Sequence, residues 1–249
     1  MGGSVSVVVP VFDGGPFIAR SLTCIHDVLS TLGVDAELVV VNDGSSDDTR
    51  EAVESVRSRL PRLLYLENQE NRGKGFSVRR ALGAASGEQL VFIDADLAYP
   101  PENIAVVLDA LGRGADLAIA CRMHEDSRYV MAPERLRRVY TRHAAGRLFN
   151  AVTRAFVVGS LRDTQAGLKG FRRDALRRLL PLLTLDRFSF DVEVLFLARR
   201  LGLRISEVPV TFVYSHEPSS LELGRDGARM LADLVRIRWR ALSGRYDEE

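Results

Sequence analysis

Over the first 120 residues, short aliphatic runs alternate with amphipathic segments, and this alternation constrains the fold more than any other feature of the chain. The aliphatic runs are Val5–Val9, Glu37–Val41, Leu63–Glu67, Gln89–Ile93 and Leu117–Ala120. They are continuous rather than alternating, as strands buried on both faces are. Between them, Pro16–Leu32, Asp48–Arg59, Gly75–Ala85 and Pro101–Leu111 carry helical periodicity. A strand–helix series of this kind predicts an α/β fold with a Rossmann-like, mainly parallel sheet flanked by helices. Ligands of such sheets bind beyond the carboxyl ends of the strands, so the residues following each run are the candidate site.

After Cys121 the pattern changes. Met123–Ala132 is polar and irregular and reads as a loop, and Pro133–Val158 as a long amphipathic helix. Leu161–Phe171 reads as loop plus a short strand, Asp174–Leu180 and Asp191–Leu201 as helices, Arg204–Val208 as a strand and Ser219–Leu242 as a closing helix. With 249 residues and no repeat or linker, the chain is expected to form one domain. Residues 1–122 would carry the strand-end site, and 123–249 would form the second half of the same domain.

A net charge of +1 gives no global signature of a nucleic-acid binder, and no nucleic-acid partner is expected. Cys24 and Cys121 form neither a metal-ligand spacing nor a disulfide framework, which suits a reducing, cytosolic compartment. Val5–Phe12 contains Pro10 and has no basic segment before it, so it does not read as a signal peptide. No stretch approaches the roughly 20 apolar residues that span a bilayer.

The first strand runs into Pro10-Val11-Phe12-Asp13-Gly14-Gly15 and the second into Asn42-Asp43-Gly44-Ser45-Ser46-Asp47-Asp48-Thr49. The third leads to Asn71-Arg72-Gly73-Lys74-Gly75, and the fourth ends in Asp94-Ala95-Asp96. Each has an ordinary alternative. Asp43–Asp47 also suits a turn that caps the next helix, and Gly73-Lys74-Gly75 also suits a plain loop. There is no Walker A loop and no GxGxxG after the first strand. Asp94 and Asp96 say more. Two carboxylates at i and i+2 repel each other without a cation, and Mg²⁺ or Mn²⁺ takes such ligands together with substrate phosphates. A solvated strand end is the competing interpretation.

Together these segments resemble glycosyltransferase family 2, whose fold is GT-A. The match rests on Val8–Asp13, Val40–Thr49, Asn71–Gly75, Phe92–Leu97 and Pro100-Pro101-Glu102 in order. Arg162–Phe171 and Phe188–Glu193 further resemble the polyprenyl-phosphate sugar synthases, above all the dolichyl-phosphate β-glucosyltransferases. The resemblance implies inverting transfer of a hexose from UDP-glucose, with GDP-mannose as second choice, to a polyprenyl or dolichyl phosphate. It implies that Pro10, Phe12, Asp13, Asp43, Arg72, Gly73, Lys74, Asp94, Ala95 and Asp96 line the nucleotide-sugar site. Asp94 and Asp96 would hold Mg²⁺ or Mn²⁺. Arg122 occupies a position at which the family meets a phosphate. One departure is Ala98, where relatives often have a Gln that adds a metal contact.

A lipid phosphate is already an anionic nucleophile, so positioning and electrostatics would supply most of the rate enhancement. Arg122, Arg128, Arg135 and Arg142 are the candidates for holding it. An alcohol acceptor would instead need a base, for which Asp191 and then Asp163 are the candidates, although acids there also suit a helix start. Asp163 could equally hold Lys169 or an arginine in place. The segment Glu134–Arg154 has six arginines against one acid. As a basic amphipathic helix it suits either peripheral contact with the cytosolic face of a membrane or core packing with a solvated basic face. Met230, Leu231, Leu234, Ile237 and Trp239 of the closing helix are expected to pack on the domain rather than insert into lipid, although Trp239 and the arginines beside it suit either purpose. A soluble-acceptor glycosyltransferase and a non-catalytic nucleotide-sugar-binding protein remain the alternatives.

Overall fold

The computed structural model describes residues 4–130, 150–214 and 223–247. The early strands are β1 (Val5–Val11), β2 (Ala36–Asn42), β3 (Leu63–Glu67), β4 (Gln89–Ile93) and β5 (Leu117–Ala120). Between them lie α1 (Ile18–Thr31), α2 (Thr49–Ser55), α3 (Lys74–Ala84) and α4 (Asn103–Gly112), with a 3₁₀ turn at Arg57–Arg59. The later elements are β6 (Arg128–Val130), β7 (Leu168–Arg172), α5 (Arg173–Leu179), α6 (Phe190–Arg200), β8 (Ile205–Val208), β9 (Thr211–Val213) and α7 (Leu223–Leu242).

Seven strands form one sheet in the order β3-β2-β1-β4-β7-β5-β8. The paired strands run parallel, except that β7 is antiparallel to both β4 and β5. The order reverses beside β1, which opens a crevice at the carboxyl edge near β1 and β4. Because β7 runs the opposite way, its leading loop, Ala166-Gly167, arrives at that same edge.

The aliphatic runs are buried on both faces. Val7 and Val9 of β1, Leu38 and Val40 of β2, and Val91 and Ile93 of β4 face the layer that contains Ile18, Leu22, Val53, Ile104 and Leu108 of α1, α2 and α4. Val8, Val39, Val41, Leu90 and Phe92 face Val78, Leu82, Leu176, Val194 and Leu234 of α3, α5, α6 and α7. This is the two-residue period of a pleated strand with a hydrophobic layer on each side.

Two expectations change, and a third is tested only over its last residues. Part of the Met123–Ala132 loop is strand: β6 pairs in parallel with β9, setting Tyr129 opposite Phe212. Three residues are too few to display a strand period, so this pair left no sequence signal. Of the expected Pro133–Val158 helix, residues 133–149 lie outside the described residues, and with them Leu136, Val139, Tyr140, His143 and Leu148, which recur at near-helical spacing in the sequence. Arg154–Val158 is wound as a π-helix. In α7, Met230, Leu234 and Ile237 are buried as expected, but Leu231 and Trp239 are about half exposed. They occupy the opposite face of the helix and so do not pack on the domain.

Candidate active site

The loops after β1 and β2 are laced together. Asp13 sits at φ 46°, a left-handed conformation costly for a residue with a Cβ. Its Oδ1 accepts the Ser46 N–H at 2.9 Å, and its own N–H donates to Ser45 Oγ at 2.8 Å. The Gly14 N–H donates to Thr49 Oγ1 at 2.9 Å. Pro10 is buried within β1, whereas Phe12 is 40% exposed and free to border a ligand.

Asp43 pins the next loop. It is buried, and its Oδ1 accepts from Asn68 Nδ2 at 2.6 Å and from the Arg72 N–H at 3.0 Å. Its Oδ2 accepts the Gly73 N–H at 2.8 Å. A carboxylate has about four acceptor positions, so a hydrogen bond to a nucleotide base would use what remains. Gly73 has φ 100°, and a Cβ on it would stand 2.5 Å from the Asp186 carbonyl oxygen. Only glycine fits that close approach. The Arg72 guanidinium lies 4.3 Å from the Phe76 ring centre.

At the end of β4 the charges converge. Lys74 Nζ is 2.9 Å from Asp94 Oδ1 and 3.6 Å from Asp191 Oδ2. On its other side, Asp191 Oδ1 accepts from Lys169 Nζ at 2.6 Å. Lys169 is fully buried on β7 and also donates to the Ala166 carbonyl. Gly167 lets its loop press on Asp94: it accepts the Asp94 N–H at 2.9 Å, and a Cβ there would overlap the Asp94 carboxylate. Ala95 is buried, and Asp96 accepts the Ala98 N–H at 3.0 Å across Leu97, which has φ 50°.

Burial acts to lower the Lys74 ammonium, but Asp191 and Asp94 outweigh it and hold its pKa above the usual lysine value. Burial pushes Asp94 up; Lys74 opposes this, and the Asp96 and Asp191 carboxylates add to it. Three carboxylates thus face two ammonium groups. The excess negative charge and the hard oxygen donors of Asp94 and Asp96 fit Mg²⁺ or Mn²⁺ completed by phosphate oxygens and water. Among the described residues no group of three or more His, Cys, Asp or Glu is arranged to hold a metal without such help.

A second ion pair stands after β5. Arg122 Nε and Nη2 donate to Asp163 Oδ2 and Oδ1 at 2.7 and 2.9 Å, and the Arg122 N–H adds a contact at 3.0 Å. The guanidinium lies 5.4 Å from the Phe212 ring centre, and Tyr99 meets Phe212 edge-on at 5.1 Å. With Nε and Nη2 committed to Asp163, Nη1 is left for an incoming oxygen. Burial raises the Asp163 carboxyl, but its bonds to Arg122 outweigh burial and hold it below the ordinary carboxylate value.

The structure therefore joins Lys74, Asp94 and Asp191 in one network and joins Arg122 to Asp163. Arg128 is exposed on β6, whose Tyr129 hydroxyl donates to the Arg122 carbonyl at 3.0 Å. Arg135 and Arg142 lie outside the described residues. Of the two partners offered for Asp163, the structure selects an arginine, Arg122, while Lys169 pairs with Asp191 instead. A lysine in the otherwise apolar run Leu168–Phe171 signals a buried carboxylate partner, but not which one.

Residues 6–180 match the model of the family described as Glycosyl transferase family 2. Dolichyl-phosphate beta-glucosyltransferase of Dictyostelium discoideum is 33% identical over 214 residues, covering 84% of this chain and 64% of that protein. The protein of the same name from Saccharomyces cerevisiae is 30% identical over 262 residues, covering 97% of this chain and 76% of the relative. Glucosyl-3-phosphoglycerate synthase of Mycobacterium tuberculosis, solved with Mn²⁺, uridine diphosphate and glucosyl-3-phosphoglycerate, superposes with TM-score 0.66 at 26% identity. That match covers 95% of this chain and 80% of the synthase.

Proposed function

This chain belongs to glycosyltransferase family 2 and has its GT-A fold, and from that premise we propose that it transfers glucose from UDP-glucose to a polyprenyl phosphate of the dolichyl type, with inversion at the anomeric carbon. Work at the cytosolic face of a membrane, as a peripheral protein, is part of the proposal. Among the described residues no helix is long and apolar enough to cross one.

The observation that carries this is the pairing, at one sheet edge, of an acid-rich cluster around Asp94 with the anchored guanidinium of Arg122. The acidic side suits a metal–diphosphate donor, and the cationic side suits an anionic acceptor. A divalent ion held by Asp94 and Asp96 supplies Lewis-acid neutralisation of the diphosphate leaving group. Phe12, Asp13 and the loop from Arg72 to Lys74 border the nucleotide. Lys74 stands over the reacting region as a fixed positive charge. Asp163 orients Arg122, so that Nη1 receives the acceptor phosphate without searching for a rotamer.

No proton need be removed from a phosphate oxygen that is already ionised. This agrees with the environment of Asp191, which is held between Lys74 and Lys169 in the manner of a structural counter-ion. As a base for an alcohol acceptor, Asp191 would have to reach a hydroxyl from a position where it is 3% exposed and already bonded to Lys169.

The test is UDP release and lipid-linked glucose formation from UDP-glucose and Mn²⁺, with a short polyprenyl phosphate in detergent. Lipid product is expected, with loss of about 10²-fold or more in Asp96→Asn. Glucosylation of 3-phosphoglycerate but not of the lipid phosphate would move the assignment to the acceptor named in the mycobacterial synthase. No turnover with any acceptor would leave a binding protein.

A further inference from the structure

Helix α7 has two apolar faces, and the molecule uses one of them. Met230, Leu234 and Ile237, spaced four and three residues apart, are at most 6% exposed and pack on the domain. Leu231, Val235, Trp239 and Leu242, spaced four, four and three apart, share the other face and are 49, 67, 52 and 83% exposed. Four of the ten large apolar side chains exposed among the described residues thus lie in one line on one helix. Scattered exposed apolar residues need no explanation, but a contiguous stripe marks an interaction surface.

The flanks of the stripe say what covers it. On the helical wheel Arg238 borders one side, and Arg229 and Arg236 border the other beyond Ala232. All three arginines are exposed. The Arg245 guanidinium lies 4.3 Å from the Trp239 ring centre, at the end of the stripe. From Gly227 to Asp247 there are five arginines and two aspartates, and Asp247 is already paired with Arg200 at 2.6 Å. A second copy docking face to face would bring arginine flank against arginine flank, because a two-fold interface pairs a surface with itself. An anionic bilayer accepts both components: apolar side chains enter the acyl boundary while arginines reach up to the headgroup phosphates.

We propose that the outward face of α7, formed by Leu231, Val235, Trp239 and Leu242 between its arginines, is a docking surface for an anionic lipid bilayer. The proposal rests on the peripheral-membrane part of the proposed function and names the surface for it, but it does not depend on the identity of donor or acceptor. Its test uses vesicles free of polyprenyl phosphate, so it can fail while the transfer assay succeeds, and the reverse.

Trp239 is the one tryptophan of the chain, so its emission reports on this surface directly. The purified protein is titrated with vesicles of phosphatidylcholine alone and of phosphatidylcholine with phosphatidylglycerol. A blue shift of Trp239 emission, and quenching by lipids brominated on the acyl chain, are expected with the anionic vesicles. Partitioning should be about tenfold or more weaker with the neutral ones. Val235→Glu and Leu242→Glu should each weaken partitioning by about tenfold with unchanged thermal unfolding, since both side chains are exposed. Unshifted and unquenched emission of the wild-type protein with anionic vesicles overturns the proposal whatever the variants do. So does a concentration-dependent dimer that Leu242→Glu dissociates while vesicle binding is absent, which would make a second copy the occupant.

Discussion

Lys169 shows how much a single side chain can decide at this site. A fully buried ammonium is tolerated because Asp191 and the Ala166 carbonyl receive its protons. Removing one partner of such a pair leaves the other charge uncompensated. Lys169→Met should therefore destabilise the fold by about 3–5 kcal/mol in denaturant titration. Adding Asp191→Leu should restore part of that loss, which makes the pair non-additive. Equal, additive losses would show that the two side chains do not act as a unit. Asp163 supports a prediction about pH. Its folded-state carboxyl is held below the ordinary value, so its stabilising contribution is complete above the unfolded value of about 4. The contribution is lost as pH falls through the lower, folded value. Asp163→Asn should lower stability at pH 7 and flatten the acid limb of a plot of denaturation midpoint against pH. An unchanged acid limb would mean that other carboxylates control it. Both acids were legible as candidates for chemistry, and Asp163 also as a holder of Lys169 or an arginine, but which cation meets which acid was not, because Arg122 lies 41 residues from Asp163 and Lys169 lies 22 from Asp191.

At the scale of elements, the small parallel pair β6–β9 is held by side-chain clamps, of which Asn103 is one. Asn103, at the first position of α4, donates through Nδ2 to the Pro100 and Thr211 carbonyls at 2.9 Å each. Its Oδ1 accepts the Thr211 N–H at 2.9 Å. These bonds, with the Val213 N–H donating to the Ala98 carbonyl at 2.8 Å, hang β9 on the turn that carries Asp96. Asn103→Ala should cost about 1–3 kcal/mol through unsatisfied backbone groups. It should also raise amide exchange in Arg128–Val130 and Thr211–Val213 before the central strands respond. Uniform exchange across all strands would refute the clamp. The early strands were legible because runs of Val, Ile and Leu buried on both faces have few other uses. The β6–β9 pair was not, since its register comes from side-chain clamps rather than from periodicity.

At the scale of the whole molecule, the site should behave as one binding unit made from separate strand ends. Two carboxylates are too few to hold Mg²⁺ or Mn²⁺ tightly by themselves, so ion and nucleotide should stabilise the protein together far more than either alone. With both present at about 100 times the dissociation constant, the gain should be about 2.7 kcal/mol, read as a rise in melting temperature. Asp96→Asn should abolish the joint gain while the ligand-free melting temperature holds. Equal stabilisation by UDP with and without the ion would remove the metal from the scheme. The order of chemical groups along the chain was determined by sequence: aliphatic runs had to become buried strands, and the acids, glycines and lysine after them had to share the carboxyl edge. Two facts were decided only by the tertiary structure. One is the antiparallel insertion of β7 between β4 and β5, which delivers Lys169 to Asp191 and Gly167 to Asp94. The other is the choice of which face of α7 turns inward. Local periodicity specifies that a segment is strand or helix and which residues share a side. The neighbour on that side is chosen by burial and charge pairing across distant segments, which no local pattern encodes.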